Sequence, residues 1–185
     1  MTGQAEAERE KQIDETVPKL EYTSFESAAD ESGTPEGWFY GRQVEITAEH
    51  GFTDGQKAVS FRNTEPGRPS HIMQAFGIDG KKYVTVKLRL DARGIDLEQG
   101  RYKTENAGVM VEFYGPNRRP VGSKRINPWT GTFDWEERNV TIPVPRSARL
   151  AILGVGLFGG TGHLIVDDVQ VNEGKIRDEF NALDK

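Results

Sequence analysis

The sequence predicts an all-β fold, an antiparallel β-sandwich of two sheets. Three observations lead to it. Apolar residues alternate with a period of two in several short runs, Gly, Pro, Asn and Asp punctuate those runs, and no amphipathic stretch of helix length separates them. The 185 residues suffice for one domain with a sizeable core and tails. With 35% hydrophobic and 29% charged residues, the chain is expected to be globular rather than disordered.

The elements follow in order. Residues 1–19 are polar and charged and read as a flexible arm; any helix there stops at Val17, because Pro18 cannot continue it. Residues 20–172 carry the sandwich pattern. The first candidate strands are Leu20–Phe25, Trp38–Ile46, Ala58–Arg62 and His71–Phe76. Next, Val84, Val86, Leu88 and Leu90 point one way, and Tyr83, Thr85, Lys87 and Arg89 the other. Val109, Val111 and Phe113 repeat the pattern against Met110, Glu112 and Tyr114. Thr130–Trp135, Val140 with Ile142, Arg149–Leu157, and Ile165 with Val169 and Val171 complete the series. About ten short strands of this kind make a sandwich or a barrel. The expected core includes Trp38, Val84, Val86, Leu88, Val109, Val111, Phe113 and Trp135. Residues 173–185 are a charged tail with room for a helical turn or two.

Several function classes are disfavoured. The net charge of −5 argues against a nucleic-acid partner, which a basic stripe would attract. The absence of Cys removes disulfides and thiol nucleophiles. No run has the roughly 20 apolar residues of a membrane span, and the opening residues lack the apolar segment of a signal peptide. The histidines, His50, His71 and His163, show no metal-ligand spacing, and no G-x-S-x-G nucleophile elbow occurs. Gly154–Gly159 matches G-x-G-x-x-G but leads into a strand, so no helix N-terminus is there to cradle phosphate. These glycines read instead as a strand needing close approach and a tight turn. Carboxylates such as Glu45, Glu49, Glu112 and Asp134 could pair as in a glycosidase, but 29 acidic residues supply such pairs without design. The chain is therefore expected not to be an enzyme.

An ordered set of short motifs points further. Phe25-Glu26 is followed eleven residues later by Gly37-Trp38; Gln74 precedes Gly80-Lys-Lys-Tyr83; Phe133-Asp134-Trp135 precedes Pro143; and Gly156 to Val169 ends in Asp167-Asp168-Val169. Over Leu20 to Val171 this resembles carbohydrate-binding modules with the galactose-binding-like jelly roll, of the family 4, 9 and 22 kind. Ser24 departs from that pattern, where Asn commonly precedes Phe-Glu. The resemblance implies a jelly roll with its first and last strands adjacent near Phe25 and Val169. It implies an extracellular or periplasmic setting as well, and a structural calcium where those strands meet. Calcium takes six to eight hard oxygens. Glu26, Asp167 and Asp168 would supply the charge, with Asp167 expected on the face of Val169, and carbonyls of Ser24 and of the Asp54–Lys57 turn would complete the shell.

A glycan site needs a flat ring for the apolar face of a pyranose and planar polar groups for its hydroxyls. Trp129, in the loop-like stretch Arg125–Gly131, is the expected ring, with Tyr114 as a second platform. His71, Gln74, Lys87, Arg89 and Glu112 lie at non-core strand positions and would hydrogen-bond hydroxyls. Trp38 and Trp135 match scaffold aromatics instead. The leading expectation is thus a non-catalytic module binding glycan weakly on one sheet face, with no nucleic-acid partner. An assembly module contacting a protein through its charged tails is the alternative, and a small polysaccharide hydrolase or lyase the third reading. An exposed Trp129 favours sugar; a buried one favours assembly.

Overall fold

The structure, a computed structural model, describes residues 17–29, 31–48, 55–126 and 128–178. The proposed arm up to residue 16, Glu49, His50, Asp54 and the tail from residue 179 lie outside the described residues. Ten strands are present among them. They are β1 (Phe39–Arg42), β2 (Val44–Thr47), β3 (Ala58–Asn63), β4 (His71–Gly77), β5 (Thr85–Glu98), β6 (Gly108–Tyr114), β7 (Pro120–Arg125), β8 (Gly131–Pro143), β9 (Leu150–Gly156) and β10 (Thr161–Glu173). They form two five-stranded sheets, ordered β1-β4-β9-β6-β7 and β2-β3-β10-β5-β8. Every pairing is antiparallel, as expected from half-buried alternation. Among the described residues no helix is long and apolar enough to cross a membrane.

The facing sides of the two sheets make one core. Val86, Leu88 and Leu90 of β5, Val109, Val111 and Phe113 of β6, Ala151, Leu153 and Val155 of β9, and Leu164 and Val166 of β10 are buried in it. Trp38 is buried with them and packs against Phe25, ring centroids 5.5 Å apart. Two expected core residues differ. Val84 is half-buried because it precedes β5 at the rim, and Trp135 is half-buried at a bulge of the edge strand β8. Tyr83, assigned to the solvent face, is fully buried, and its hydroxyl donates to Glu173.

Strand boundaries shift where the backbone leaves the β region. Leu20–Phe25 is not a strand, since Tyr22 and Phe25 adopt positive φ. The segment still lies beside the last strand, through the Val169 amide donating to the Thr23 carbonyl at 3.3 Å. Positive φ at Tyr40 and Gln43 divides Trp38–Ile46 into β1 and β2, which belong to different sheets. The two short runs before Pro143 are one long strand, β8. β7 escapes the pattern reading because Pro120 and Gly122 weaken it, and an edge strand tolerates both. The expected tail begins too early. β10 runs through Glu173, and beyond it Lys175 and Arg177 are bonded to Val84, Thr85 and Lys82.

Truncating Leu88, buried on the core side of β5, is expected to cost about 2–5 kcal/mol through lost burial and a residual cavity. Denaturant unfolding of Leu88→Ala measures it; a change under about 1 kcal/mol would contradict this packing.

Candidate functional site

The seven residues proposed for ligand contact do not converge. Gln74 turns inward, its amide oxygen accepting from the Glu21 amide at 2.7 Å and its nitrogen donating to the Glu21 and Gly37 carbonyls at 3.0 Å. It fastens the entry segment to β4 because a buried amide must be satisfied. Trp129 is buried at 5% exposure beneath the Arg138 guanidinium, so it offers no stacking surface. Lys87 and Arg89 stand on the outer face of the second sheet. His71, Glu112 and Tyr114 alone share the outer face of the first.

On the second sheet, Arg89 is enclosed by carboxylates. It pairs with Asp91 at 3.1 Å and Glu137 at 3.0 Å, and it contacts Asp168. Asn139 and Arg89 together hold the Glu137 carboxyl below its ordinary value. Nearby, Ser60 Oγ lies 2.8 Å from His163 Nε2, a nucleophile-and-base pairing in form. Ser60 is 1% exposed and lies in the wall of a depression that it shares with Gln43, Val44, Glu45 and Arg62.

The residues proposed for calcium are engaged by the chain itself. Glu26 Oε1 accepts the Gln56 and Lys57 amides at 2.9 and 3.0 Å, and Lys57 Nζ donates to the Glu26 carbonyl at 2.9 Å. Asp168 holds Arg89 and accepts from Gln170. Asp167 does not share the face of Val169: a bulge with Asp168 at φ 49° sets Asp167 opposite Asp91, while Val169 enters the core. Among the described residues no group of three or more His, Cys, Asp or Glu could hold a metal ion. As arranged, with Lys57 and Arg89 in place, these residues do not fit as an all-oxygen shell.

The outer face of the first sheet is different. Strand pairing sets Phe39, Met73, Gly154, Met110 and Arg125 in one row across all five strands. The adjacent row runs Arg42, His71, Gly156, Gly108. Glycine leaves this strip bare at its centre, and Phe158 folds back over it. Its ring stacks on His71 with centroids 5.3 Å apart and planes 19° from parallel, and Arg125 caps it at 5.6 Å. A Cβ at Gly154 would already stand 3.2 Å from the Phe158 ring. On either side of the ring pair lies a depression. One, of about 240 Å³, is lined by Tyr40, Arg42, Pro69, His71 and Met73. The other, of about 80 Å³, is lined by residues including Lys103, Gly108, Arg125, Ile126 and Phe158. Further along the face, the Tyr114 hydroxyl donates to Glu112 at 2.7 Å, and this bond is the main reason its ionisation is pushed up. The reading from sequence missed Tyr40, Arg42, Met73, Arg125 and Phe158. Its one available signal was a lone phenylalanine among the glycines after β9.

No protein-family model and no curated protein matches the sequence. Solved structures share the fold. The CBM22-1 xylan-binding domain of Paenibacillus barcinonensis Xyn10C is 15% identical with TM-score 0.55, covering 87% of this chain and 97% of its own. The Stig cyclase Fisc from Fischerella sp. TAU is 18% identical with TM-score 0.55, covering 88% and 99%. The enzymatically active domain of tailspike protein 4 of bacteriophage CBA120 is 13% identical with TM-score 0.55; the match covers 83% of this chain but 22% of that one. The chain thus has the β-jelly-roll fold of carbohydrate-binding modules. The same fold carries enzyme domains, so it does not choose between the two.

Burial, and after it the Arg42 charge, hold the His71 imidazole below its ordinary value of 6.5. The unfolded chain therefore takes up a proton that the folded chain resists. Stability is full above that value and falls as pH drops through it. Melting temperatures measured between about pH 7.5 and pH 5 should decline less steeply in His71→Gln than in wild type. Equal slopes would remove His71 as the source.

Proposed function

We propose that the chain is a non-catalytic glycan-binding module whose site is the outer face of the first sheet. The observation that carries this reading is the His71–Phe158 ring pair, half-buried between two depressions over the glycines that Phe158 covers. A pyranose stacks its apolar face on such a ring, while its hydroxyls need planar polar partners. Glu112 and Tyr114, further along the same face, are such partners. Tyr40, 71% exposed, adds a second ring at the β1 edge. The fold shared with a xylan-binding domain supports the reading. A shallow face desolvates little of a hydrated ligand, so affinity is expected in the micromolar to millimolar range, roughly −8 to −4 kcal/mol.

Calorimetric titration with xylohexaose, the ligand named for a related CBM22-1 module, and then with a broad oligosaccharide panel tests it. Phe158→Ala and Tyr40→Ala are each expected to weaken binding roughly fivefold, the equivalent of about 1 kcal/mol of ring contact. If Phe158→Ala and wild type respond identically to every sugar, the glycan reading falls. The assembly reading then takes its place, favoured by the buried Trp129 and by Phe39 and Tyr40 exposed side by side at a sheet edge.

A structural calcium near Glu26, Asp167 and Asp168 is a separate proposal, and it requires Lys57 and Arg89 to give way. Bound only to the native state, the ion would stabilise it, so a chelator should lower the melting temperature. Identical melting curves with calcium and with chelator would remove it.

A further inference from the structure

One end of the sandwich carries a charge opposite to that of the chain. Four segments meet there: residues 78–84 between β4 and β5, 115–119 between β6 and β7, 144–149 between β8 and β9, and 174–178 after β10. Together they hold eight lysines and arginines against two aspartates, in a chain of net charge −5. The net charge thus averages a basic end with an acidic remainder, and a partner meets the local field rather than the average.

Backbone bonds knit the four segments into one surface. The Gly80 amide donates to the Ala148 carbonyl at 2.9 Å, the Arg149 amide to that of Tyr114 at 2.8 Å, and the Arg177 amide to that of Lys82 at 2.8 Å. The Arg177 side chain is fixed as well, its Nε donating to the Gly80 carbonyl at 2.9 Å and its Nη2 to the Val144 carbonyl at 3.4 Å. Arg177 lines a depression of about 340 Å³ together with Val84, Arg146, Lys175 and Asp178. Acids nearby are already engaged: Asp79 pairs with Arg149 at 3.4 Å, and Glu173 accepts the Tyr83 hydroxyl. Lys81, Lys82, Arg118, Arg119 and Lys175 make no ion pair among the described residues, and all but Lys82 are exposed.

The other side chains at this end narrow the partner. The exposed large hydrophobic residues, Tyr22, Phe39, Tyr40 and Tyr102, lie outside the four segments, and Tyr83 is fully buried. Among the described residues, therefore, this end has no open ring for a base to stack on and no apolar side chain to enter a bilayer core. Its cations come from strands of both sheets, so they spread across the end of the sandwich instead of following one groove. A flat anionic surface matches that distribution better than a single strand does. The acidic remainder of the chain is repelled by the same surface, which leaves this end to face it.

We infer that the basic end docks on an anionic lipid surface, its lysines and arginines against headgroup phosphates and the outer faces of both sheets standing clear of the bilayer. Such attraction accumulates over the cations near the surface and is screened by salt. It goes beyond the glycan reading and does not rest on it, because the His71–Phe158 face uses none of these residues.

Flotation of the full chain with lipid vesicles tests the inference. At low salt the chain should bind phosphatidylcholine vesicles carrying about 30% phosphatidylglycerol and not phosphatidylcholine alone, and about 0.5 M salt should release it. Lys81→Gln with Lys82→Gln, and separately Arg118→Gln with Arg119→Gln, should each weaken binding roughly tenfold with little change in melting temperature. Lys124→Gln, on β7 away from this end, should bind as wild type. The two pairs lie in different segments, so a folding defect in one leaves the other as the test. Equal binding to neutral and anionic vesicles, or binding to neither, would overturn the inference and leave the glycan titration unaffected. Folded double variants that bind like wild type would overturn it too. Tighter binding to duplex DNA at matched phosphate concentration would overturn the assignment to lipid.

Discussion

Ala151, Leu153 and Val155 enter the core from the central strand of the first sheet, and the pleat then commits Ile152, Gly154 and Gly156 to its outer face. This alternation is the constraint on which the site depends. At two successive outward positions the chain has no side chain, so the tip of a ring can come down onto the sheet. At Gly156 the requirement is stricter, because a Cβ would stand 2.3 Å from the Ser70 carbonyl and the backbone has φ 149°. Phe158, two residues later, returns over the cleared strip and meets His71. A one-residue slip of β9 would put the glycines into the core and the apolar residues into water.

The two outer faces are chemically unlike. On the second sheet Arg89, Asp91, Glu137 and Asp168 satisfy one another, so their charges are spent internally. Such a cluster is weak evidence for stability, since desolvation offsets much of the attraction. Breaking it would still be costly, as Asp91 and Asp168 are largely withdrawn from water. On the first sheet, Arg42, Lys103 and Arg125 make no ion pair among the described residues, and Phe158 is half-buried. That difference, rather than any catalytic constellation, makes one face a candidate for binding.

Much of this architecture was legible in the residues. Alternation in Val86-Leu88-Leu90 and Val109-Val111-Phe113 was enough to assign faces, because each run has a period of two and a single buried side. The buried fate of Trp38 was legible too. Gln74 was misassigned because its polarity was read as exposure, although a period of two sets it on the buried side with Ile72 and Phe76, where the backbones of Glu21 and Gly37 satisfy its amide. Trp129 looked exposed because it sits among Asn, Pro and Gly. It is buried because the bridge to Ala107 draws it into the core cluster, with Arg138 over the ring, and no local pattern connects it to either residue.

The sequence by itself determined the all-β class, the strands of the centre, most of the core and the absence of thiol chemistry, because those follow from local periodicity and composition. Only the tertiary structure decided which outward residues share a face. His71 and Lys87 are both non-core strand residues, yet they lie on opposite sides of the molecule, since β4 and β5 belong to different sheets. Sheet assignment depends on pairing between strands distant in the chain, as with His71 opposite Gly156. Periodicity along one strand records which way a side chain points, but not which neighbours the fold will bring beside it.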